Sequence, residues 1–171
     1  REVAAQMHAR TAEAVAALVA VGWQPRLVSI RVGVDPAVDL YIRNQERAAR
    51  KVGIEFECRN VSAGISEREL RATITSLNTD PRVTGVILQR PVPDHLPIEQ
   101  LQSAIHPLKD VEGMHPASIG NIVYQNIDLA PCTAMAAVEL LKQTRVSLKG
   151  LEVTVIGHSE IVGKPIAFLL M

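Results

Sequence analysis

Residues 83–89 read VTGVILQ, an apolar run in which hydrophobic and polar positions do not alternate. Such a run predicts a strand that is covered on both faces, as the strands of parallel sheets are. Upstream, RLVSIRVG at residues 26–33 alternates apolar and polar positions, and IEFECRNV at residues 54–61 has a further strand pattern. Because helical patterns separate these strands, the sequence predicts an α/β fold with a parallel sheet.

Helical patterns fill most of the intervening chain. The clearest one begins at Ser66, which can form a capping box with Glu69 ahead of an apolar stripe. Further helices are predicted at residues 2–20, 37–52 and 97–105, and from Thr133, as the capping residue, to about Gln143.

Three segments carry more specific expectations. In the second helix, we expect Leu40, Tyr41 and Ala48 to face the core. The segment HPLKDVEGMHPASIGN, residues 106–121, has the composition of a polar loop. The segment LEVTVIG, residues 151–157, is apolar and predicts a further buried strand that leads into a loop.

Charge and cysteine content exclude several classes of partner. Eighteen basic and eighteen acidic residues cancel, so no overall field attracts nucleic acid or an anionic membrane, and we expect neither as a partner. No segment approaches the roughly 20 apolar residues that a membrane span needs. Cys58 and Cys132 lie far apart and form no CxxC pair, which indicates a reducing compartment and a cytoplasmic location.

The loop after the last predicted strand has the residues of a phosphate site. Gly157, Ser159 and Gly163 combine two glycines with a hydroxyl, so backbone N–H groups could approach a pyrophosphate at the start of a helix. The pattern is not GxGxxG, and an ordinary strand-to-helix turn is the alternative. A nucleotide site is favoured because the loop directly follows an apolar run.

Other polar residues allow either a functional or a structural interpretation. His106, Asp110, Glu112 and His115 could bind a metal, but their spacing matches no common zinc pattern, so a solvated or substrate-contacting loop is favoured. Tyr41 and Gln45 lie four residues apart and share a helix face, while Gln89 follows a strand at the sheet edge where α/β proteins bind ligands. Taken alone, the structural interpretation is favoured for each of these three.

Taken together, five blocks in this order resemble the bifunctional methylene-tetrahydrofolate dehydrogenase/methenyl-tetrahydrofolate cyclohydrolase family. The blocks are VGVDPAVDLYIRNQERAARKVGI, TGVILQRPVP, HPLKDVEGMHPASIGNI, APCTA and VTVIGHSEIVGKP. The resemblance implies a folate-binding catalytic domain at residues 1–130, a linking helix at 131–148, and the first strand and helix of an NAD(P)-binding Rossmann domain at 149–171. Family enzymes continue for about 100 further residues, so that domain is expected to be incomplete within this sequence.

The resemblance also implies an activity. Family enzymes oxidise 5,10-methylenetetrahydrofolate by hydride transfer, usually to NADP, and hydrolyse the methenyl product to 10-formyltetrahydrofolate. By resemblance, Tyr41 stacks on the folate, Gln89 pairs with the residue at position 45, and Glu112, Pro131 and Cys132 contact the substrate. Contacts to NADP or NAD are implied for Thr133, Gly157, His158, Ser159 and Gly163. The full-length protein is expected to be a homodimer.

Departures from the family pattern qualify that activity. Gln45 stands where the family has its catalytic lysine, and a primary amide exchanges hydrogen bonds but carries no proton between reactants. Glu112 replaces an aspartate and moves the carboxylate outward by one methylene. His158 stands where the family often has arginine, which leaves NAD against NADP open. Other departures are Val38, Arg90, Ser118, Ala134 and Ala136.

These departures predict a protein that keeps the dehydrogenase step and has a weak or lost cyclohydrolase step. Hydride transfer depends chiefly on orientation, whereas cyclohydrolysis requires proton transfer. The alternative is a non-catalytic homologue that binds folate or a related ligand. A third interpretation is an unrelated small nucleotide-binding module.

Overall fold

The computed structural model describes residues 2–171 and contains a three-stranded parallel sheet. The strands are β1 (Arg26–Val32), β2 (Glu55–Val61) and β3 (Gly85–Leu88), in the order β2-β1-β3. The α/β fold and these three strands were predicted from the sequence and are confirmed. Because β1 is central, both of its edges are hydrogen bonded to a neighbouring strand.

Helices connect and follow the strands. They are α1 (Glu2–Ala20), α2 (Pro36–Lys51), α3 (Glu67–Thr79), α4 (Ile98–Gln102), α5 (Pro116–Val123), α6 (Cys132–Gln143) and α7 (Gly163–Leu169), with a 3-10 turn at Pro107–Lys109. Within residues 2–171, no helix is both long enough and apolar enough to cross a membrane.

The first core lies between the sheet and α3. Val28 and Ile30 of β1 pack in one cluster with Leu70 and Ile74 of α3, and all four are fully buried. Burial of side chains of this size contributes about 1.5–3 kcal/mol each. The capping box predicted at the start of α3 is confirmed, since Ser66 N donates to Glu69 Oε2 at 3.0 Å and Glu69 N donates to Ser66 Oγ at 3.3 Å.

The face that α2 buries differs from the prediction. Leu40 and Tyr41 are 55% and 64% exposed and Ala48 is exposed, so the expectation that these residues face the core is wrong. The buried residues are Val38, Ile42 and Ala49. Ile42 and Ala49 lie one position after Tyr41 and Ala48, and Val38 lies two positions before Leu40. A shift of one residue rotates the buried face of a helix by about 100°.

The described chain divides into two compact units, one up to Val111 and one at Glu112–Met171. In the second unit, α7 packs against α5 and α6. The loop predicted at residues 106–121 instead contains a 3-10 turn and the start of α5, so that prediction is wrong in part. His115 Nδ1 accepts a hydrogen bond from Ala117 N at 3.0 Å, and Pro116 at the first helical position favours the same start.

Two other predictions in this unit are wrong. Pro131, and not Thr133, is the capping residue of α6, and it makes no side-chain cap hydrogen bond. Residues 151–157 form no strand and are mostly exposed. An apolar run becomes a strand only when another strand supplies backbone hydrogen bonds, and within residues 2–171 none lies beside it.

Candidate functional site

A short hydrogen-bond chain links the carboxyl end of β3 to α2. Gln89 follows β3 directly, and only 6% of its surface is exposed. Its Nε2 donates to Ser29 Oγ at 2.8 Å and to Gln45 Oε1 at 2.7 Å. Both amide protons of Gln89 therefore have acceptors, as a buried polar group requires. This edge of the sheet is where parallel α/β proteins bind ligands.

Ser29 takes part in this chain because of its place in β1. It is fully buried in the central strand, where it pairs in register with Cys58 of β2 and Ile87 of β3. Its strand neighbours Val28 and Ile30 pack on the α3 side, so the alternation of a strand directs Ser29 to the opposite side. The sequence pattern had identified Ser29 only as the polar position of an alternating strand.

An ion pair fixes α2 on the same side of β1. The Arg31 guanidinium, two residues after Ser29, contacts the Asp39 carboxylate in the first turn of α2. Asp35 begins the helix by accepting hydrogen bonds from Ala37 N and Val38 N at 2.7 and 3.2 Å. The position of α2, and with it that of Gln45, is thus set from both the helix start and the sheet.

Tyr41 and Gln45 present different groups from α2. Tyr41 is well exposed, so its ring is available to a ligand and contributes little to the core. Gln45 is half-buried. Its Oε1 accepts from Gln89, while its Nε2 has no hydrogen-bond partner among residues 2–171. The Gln45 amide is therefore held by Gln89 one helical turn from an exposed aromatic ring.

Cys58 is not a nucleophile in this site. Burial raises the pKa of the Cys58 thiol above its ordinary value, and the nearby carboxylates of Asp39, Glu46 and Glu57 act in the same direction, while Arg31 opposes them. The thiol thus stays protonated at neutral pH, and only the thiolate is nucleophilic.

A groove of about 590 Å³ is lined by residues 90–98 in the loop that follows Gln89. Its lining is mainly proline and aliphatic side chains, which suits a flat, partly apolar ligand. Arg90, at its start, contacts the buried Oε1 of Gln102 in α4. That contact holds the Arg90 guanidinium against the protein and was not expected from the sequence.

In the second unit, the residues expected to contact substrate lie on two neighbouring segments. Gly113 has φ +65°, and a Cβ there would come within 2.2 Å of the Ala130 backbone. This close approach brings Glu112, which is half-buried, beside the segment that begins α6. In that segment Pro131 is buried, whereas Cys132 and Thr133 are exposed.

The loop at residues 157–163 folds back on itself. Ser159 Oγ accepts a hydrogen bond from Gly163 N at 3.3 Å, and a Cβ on Gly163 would come within 2.2 Å of Gly157 O. Gly157, with φ +107°, also requires glycine. The structure therefore brings Gly157, Ser159 and Gly163 together, and His158 lies exposed between them. Small residues of this kind allow a phosphate to approach backbone N–H groups.

The alternative metal site receives no support from the described part of the chain. No three side chains of the metal-binding types gather anywhere in residues 2–171. His106 Nδ1 and His115 Nδ1 instead accept hydrogen bonds from Leu108 N and Ala117 N, at 3.2 and 3.0 Å. Each of these histidines caps the turn that follows it.

Comparisons with known proteins agree across the chain. The model of the tetrahydrofolate dehydrogenase/cyclohydrolase catalytic domain matches residues 1–112, and the model of the NAD(P)-binding domain of the same enzymes matches residues 131–171. A curated relative, bifunctional protein FolD 2 of Mesorhizobium japonicum, is 62% identical over 169 residues, which are 99% of this chain and 55% of that protein.

Solved structures give the same result. The bifunctional FolD enzyme of Campylobacter jejuni superposes with a TM-score of 0.95 at 31% identity, over 99% of this chain and 61% of that one. The Trypanosoma brucei methylenetetrahydrofolate dehydrogenase-cyclohydrolase, solved with NADP and an inhibitor, has a TM-score of 0.91 at 29% identity, over 99% and 59%. The chain spans little more than half the length of these proteins.

Proposed function

Because this chain belongs to the tetrahydrofolate dehydrogenase/cyclohydrolase family, we propose that the whole protein oxidises 5,10-methylenetetrahydrofolate to the 5,10-methenyl form with NADP or NAD, and that its cyclohydrolase step is weak or lost. The observation that carries this proposal is the amide pair of Gln89 and Gln45. Membership of the family also overturns the interpretation as an unrelated nucleotide-binding module.

The dehydrogenase step needs a substrate that is held in one orientation. We assign the exposed ring of Tyr41 to stacking on the folate, and the groove after Gln89 to its flat, partly apolar body. Glu112, Pro131 and Cys132 are the further contacts in this proposal. When bound, NADP or NAD accepts the hydride that leaves the folate methylene carbon, so the protein mainly orients the two reactants.

The cyclohydrolase step needs proton transfer, and the amide pair is poorly suited to it. Water attacks the methenyl carbon, a proton must leave that water, and another must reach the departing nitrogen. A lysine at position 45 could carry such a proton. The amides of Gln45 and Gln89 bind each other and have no titrating proton near neutral pH. We therefore expect hydrolysis to be much slower than oxidation.

The cofactor assignment is supported by the shape of the loop at residues 157–163. Gly163 leaves no room for a side chain against Gly157 O, and the Ser159 hydroxyl lies in the same turn. We assign these residues, with His158 and Thr133, to binding NADP or NAD. We also propose the domain division given above, with boundaries after residues 130 and 148, and a homodimer in the cytoplasm. Cys58 and Cys132, which lie far apart in the sequence, fit a reducing compartment.

The test is to assay the two steps separately on the full-length product of the gene and on its Gln45→Lys variant. We expect the unmodified protein to form NADPH or NADH from methylenetetrahydrofolate and to hydrolyse methenyltetrahydrofolate little faster than buffer. Gln45→Lys should raise hydrolysis by about 10²-fold or more, the size of a general acid–base contribution. Gln6→Lys, which adds the same charge on an exposed part of α1, is the matched control.

Brisk hydrolysis by the unmodified protein would contradict the proposal. The second candidate, a non-catalytic folate-binding homologue, is motivated by the same neutral amide pair. It predicts calorimetric binding of the folate with no NADPH or NADH formed at high protein concentration. Measurable reduction of either cofactor removes this candidate.

A further inference from the structure

Arg90 places a cationic group at the edge of the sheet that the proposed function assigns to substrate. It follows Gln89 at the carboxyl end of β3 and is exposed. Its Nη2 contacts Oε1 of Gln102, which is buried at the end of α4. The other N–H groups of Arg90 have no acceptor within residues 2–171. A guanidinium that is anchored on one side and open on the other can bind an anion at a reduced cost in side-chain entropy.

The side chains of Gln89 and Arg90 lead to different sides of the sheet. Gln89 donates its amide protons toward α2, where Gln45 accepts one of them. Arg90 instead contacts α4. That helix lies on the α3 side, since its Leu101 belongs to the same core cluster as the buried residues of α3. A ligand that crosses this edge of the sheet can therefore meet the amide pair at one end and Arg90 at the other.

The groove beside Arg90 has a mainly apolar lining with two charged residues. Its volume of about 590 Å³ lies within the range of about 300–1,000 Å³ that is usual for small-molecule sites. The second charged residue is Asp94, which is exposed and forms no ion pair within residues 2–171. Because the charge of Asp94 repels anions, the groove favours a carboxylate only where it lies against Arg90.

From these features we propose that Arg90 binds a carboxylate in the glutamate tail of the folate substrate. The inference rests on the proposed function and adds a subsite to it. A folate carries two carboxylates on a glutamate that is joined through an amide to an aromatic ring, so its tail is an apolar body followed by negative charge. A planar guanidinium matches a carboxylate in both shape and charge.

Binding of the tail is separate from the reaction. The tail carboxylates take no part in hydride transfer, so the contact with Arg90 is the same in the bound substrate and in the transition state. Loss of such uniform binding raises KM and leaves kcat little changed. A merely structural role for Arg90, through its contact with Gln102, predicts instead an effect that does not depend on the charge of the substrate.

The experiment compares two substrates on the full-length gene product. One is 5,10-methylenetetrahydrofolate, and the other is its analogue with both tail carboxylates converted to primary amides, which keeps the size of the tail and removes its charge. In the unmodified protein, the KM of the diamide should be about threefold to tenfold higher, the effect of one anchored charge pair at the surface. Arg90→Gln should raise the KM of the folate by a similar factor and that of the diamide by less than about twofold.

Arg10→Gln is the matched control, because it removes the same charge from an exposed position of α1. It should leave both KM values unchanged. Arg90→Lys keeps the charge without the planar fork and should retain part of the preference for the folate. Added salt should narrow the difference between the two substrates in the unmodified protein, since an exposed charge pair is screened. Arg90→Lys and the salt series supply the comparison if Arg90→Gln is unstable.

Equal KM values for the two substrates in the unmodified protein would overturn the tail subsite and leave the proposed function intact. The same holds if Arg90→Gln raises both KM values by one factor. Turnover of neither substrate would overturn the proposed function and this inference with it. The unmodified protein therefore distinguishes the two failures.

Discussion

Gln89 Nε2 lies 2.7 Å from Gln45 Oε1, so the residue that follows β3 is hydrogen bonded to the third turn of α2. The same nitrogen binds Ser29 Oγ of β1. Two strands and a helix that are separate in sequence therefore meet at the amide group of Gln89. A substitution of any one of the three side chains removes a hydrogen-bond partner from another.

Replacement of the central amide tests this connection. Gln89→Leu keeps the side-chain volume but leaves the buried Ser29 hydroxyl and Gln45 Oε1 without their donor. We expect the free energy of unfolding to fall by about 1–3 kcal/mol, measured by urea denaturation. Adding Ser29→Ala should restore part of that loss, because both members of the buried pair are then apolar. Gln6→Leu, on an exposed part of α1, should change stability by less than about 0.5 kcal/mol.

Substitution of Tyr41, the exposed aromatic residue of α2, distinguishes a role in substrate binding from a role in stability. Tyr41→Ala should raise the KM for methylenetetrahydrofolate up to about tenfold, since an aromatic contact is worth about 0.5–1.5 kcal/mol. Its thermal midpoint should stay close to that of the unmodified protein, because Tyr41 is 64% exposed. Leu40→Ala, a neighbour that is 55% exposed, is the control and should leave KM unchanged. A large drop in stability for Tyr41→Ala would show that the ring is structural.

The close approach of Gly163 to Gly157 predicts a loss of cofactor binding. A methyl group at position 163 must displace the Gly157 carbonyl, so Gly163→Ala should weaken NADP or NAD binding by tenfold or more, measured by fluorescence titration. Gly120→Ala is the matched control in α5, since a Cβ there meets nothing within 4 Å. It should stabilise the protein by about 0.5–1 kcal/mol and leave cofactor binding unchanged. Unaltered binding by Gly163→Ala would contradict the assignment of the loop.

The ion pairs of Glu57 in β2 with Arg59 and Arg26 predict that the stability of the protein depends on pH. Partial burial alone would raise the pKa of Glu57, but the hydrogen bonds and charges of Arg59 and Arg26 outweigh it and lower that pKa below its ordinary value. The stabilisation is therefore complete above the unfolded pKa of about 4.3 and is lost as the pH falls through the lower folded pKa.

The Glu57→Gln variant should accordingly be less stable than the unmodified protein at pH 7 and equally stable in strong acid. Urea unfolding of both at pH 7, 5, 4 and 3 measures the difference. Glu55→Gln is the control, because Glu55 is exposed on the same strand and joins no ion pair within residues 2–171. A difference between Glu57→Gln and the unmodified protein that persists unchanged to pH 3 would rule out this cause.

Local signals in the sequence predicted much of the fold. The capping box at Ser66 and the apolar run at residues 83–89 are properties of a few neighbouring residues, and the structure contains both. The strand expected at residues 151–157 is absent because a strand depends on a partner that no local pattern supplies. The buried face of α2 was misassigned because Leu40 and Tyr41 are apolar enough for a core and yet lie exposed.

The candidate site was only partly visible for a related reason. Tyr41, Gln45 and Gln89 could be singled out by position and by resemblance. Ser29 could not, because alternation in a strand does not say whether the polar face meets water or a helix. Only the packing of α2 over β1 turns that polar position into a buried hydrogen-bond partner. The one signal present was a hydroxyl and a guanidinium, at Ser29 and Arg31, that alternate with the apolar residues Val28, Ile30 and Val32.

The hydrogen-bond chain through Gln89 also means that positions 29, 45 and 89 are not independent of one another in sequence. An apolar substitution at one of them leaves a polar atom of another without its partner, so we expect the three residues to vary together among related sequences.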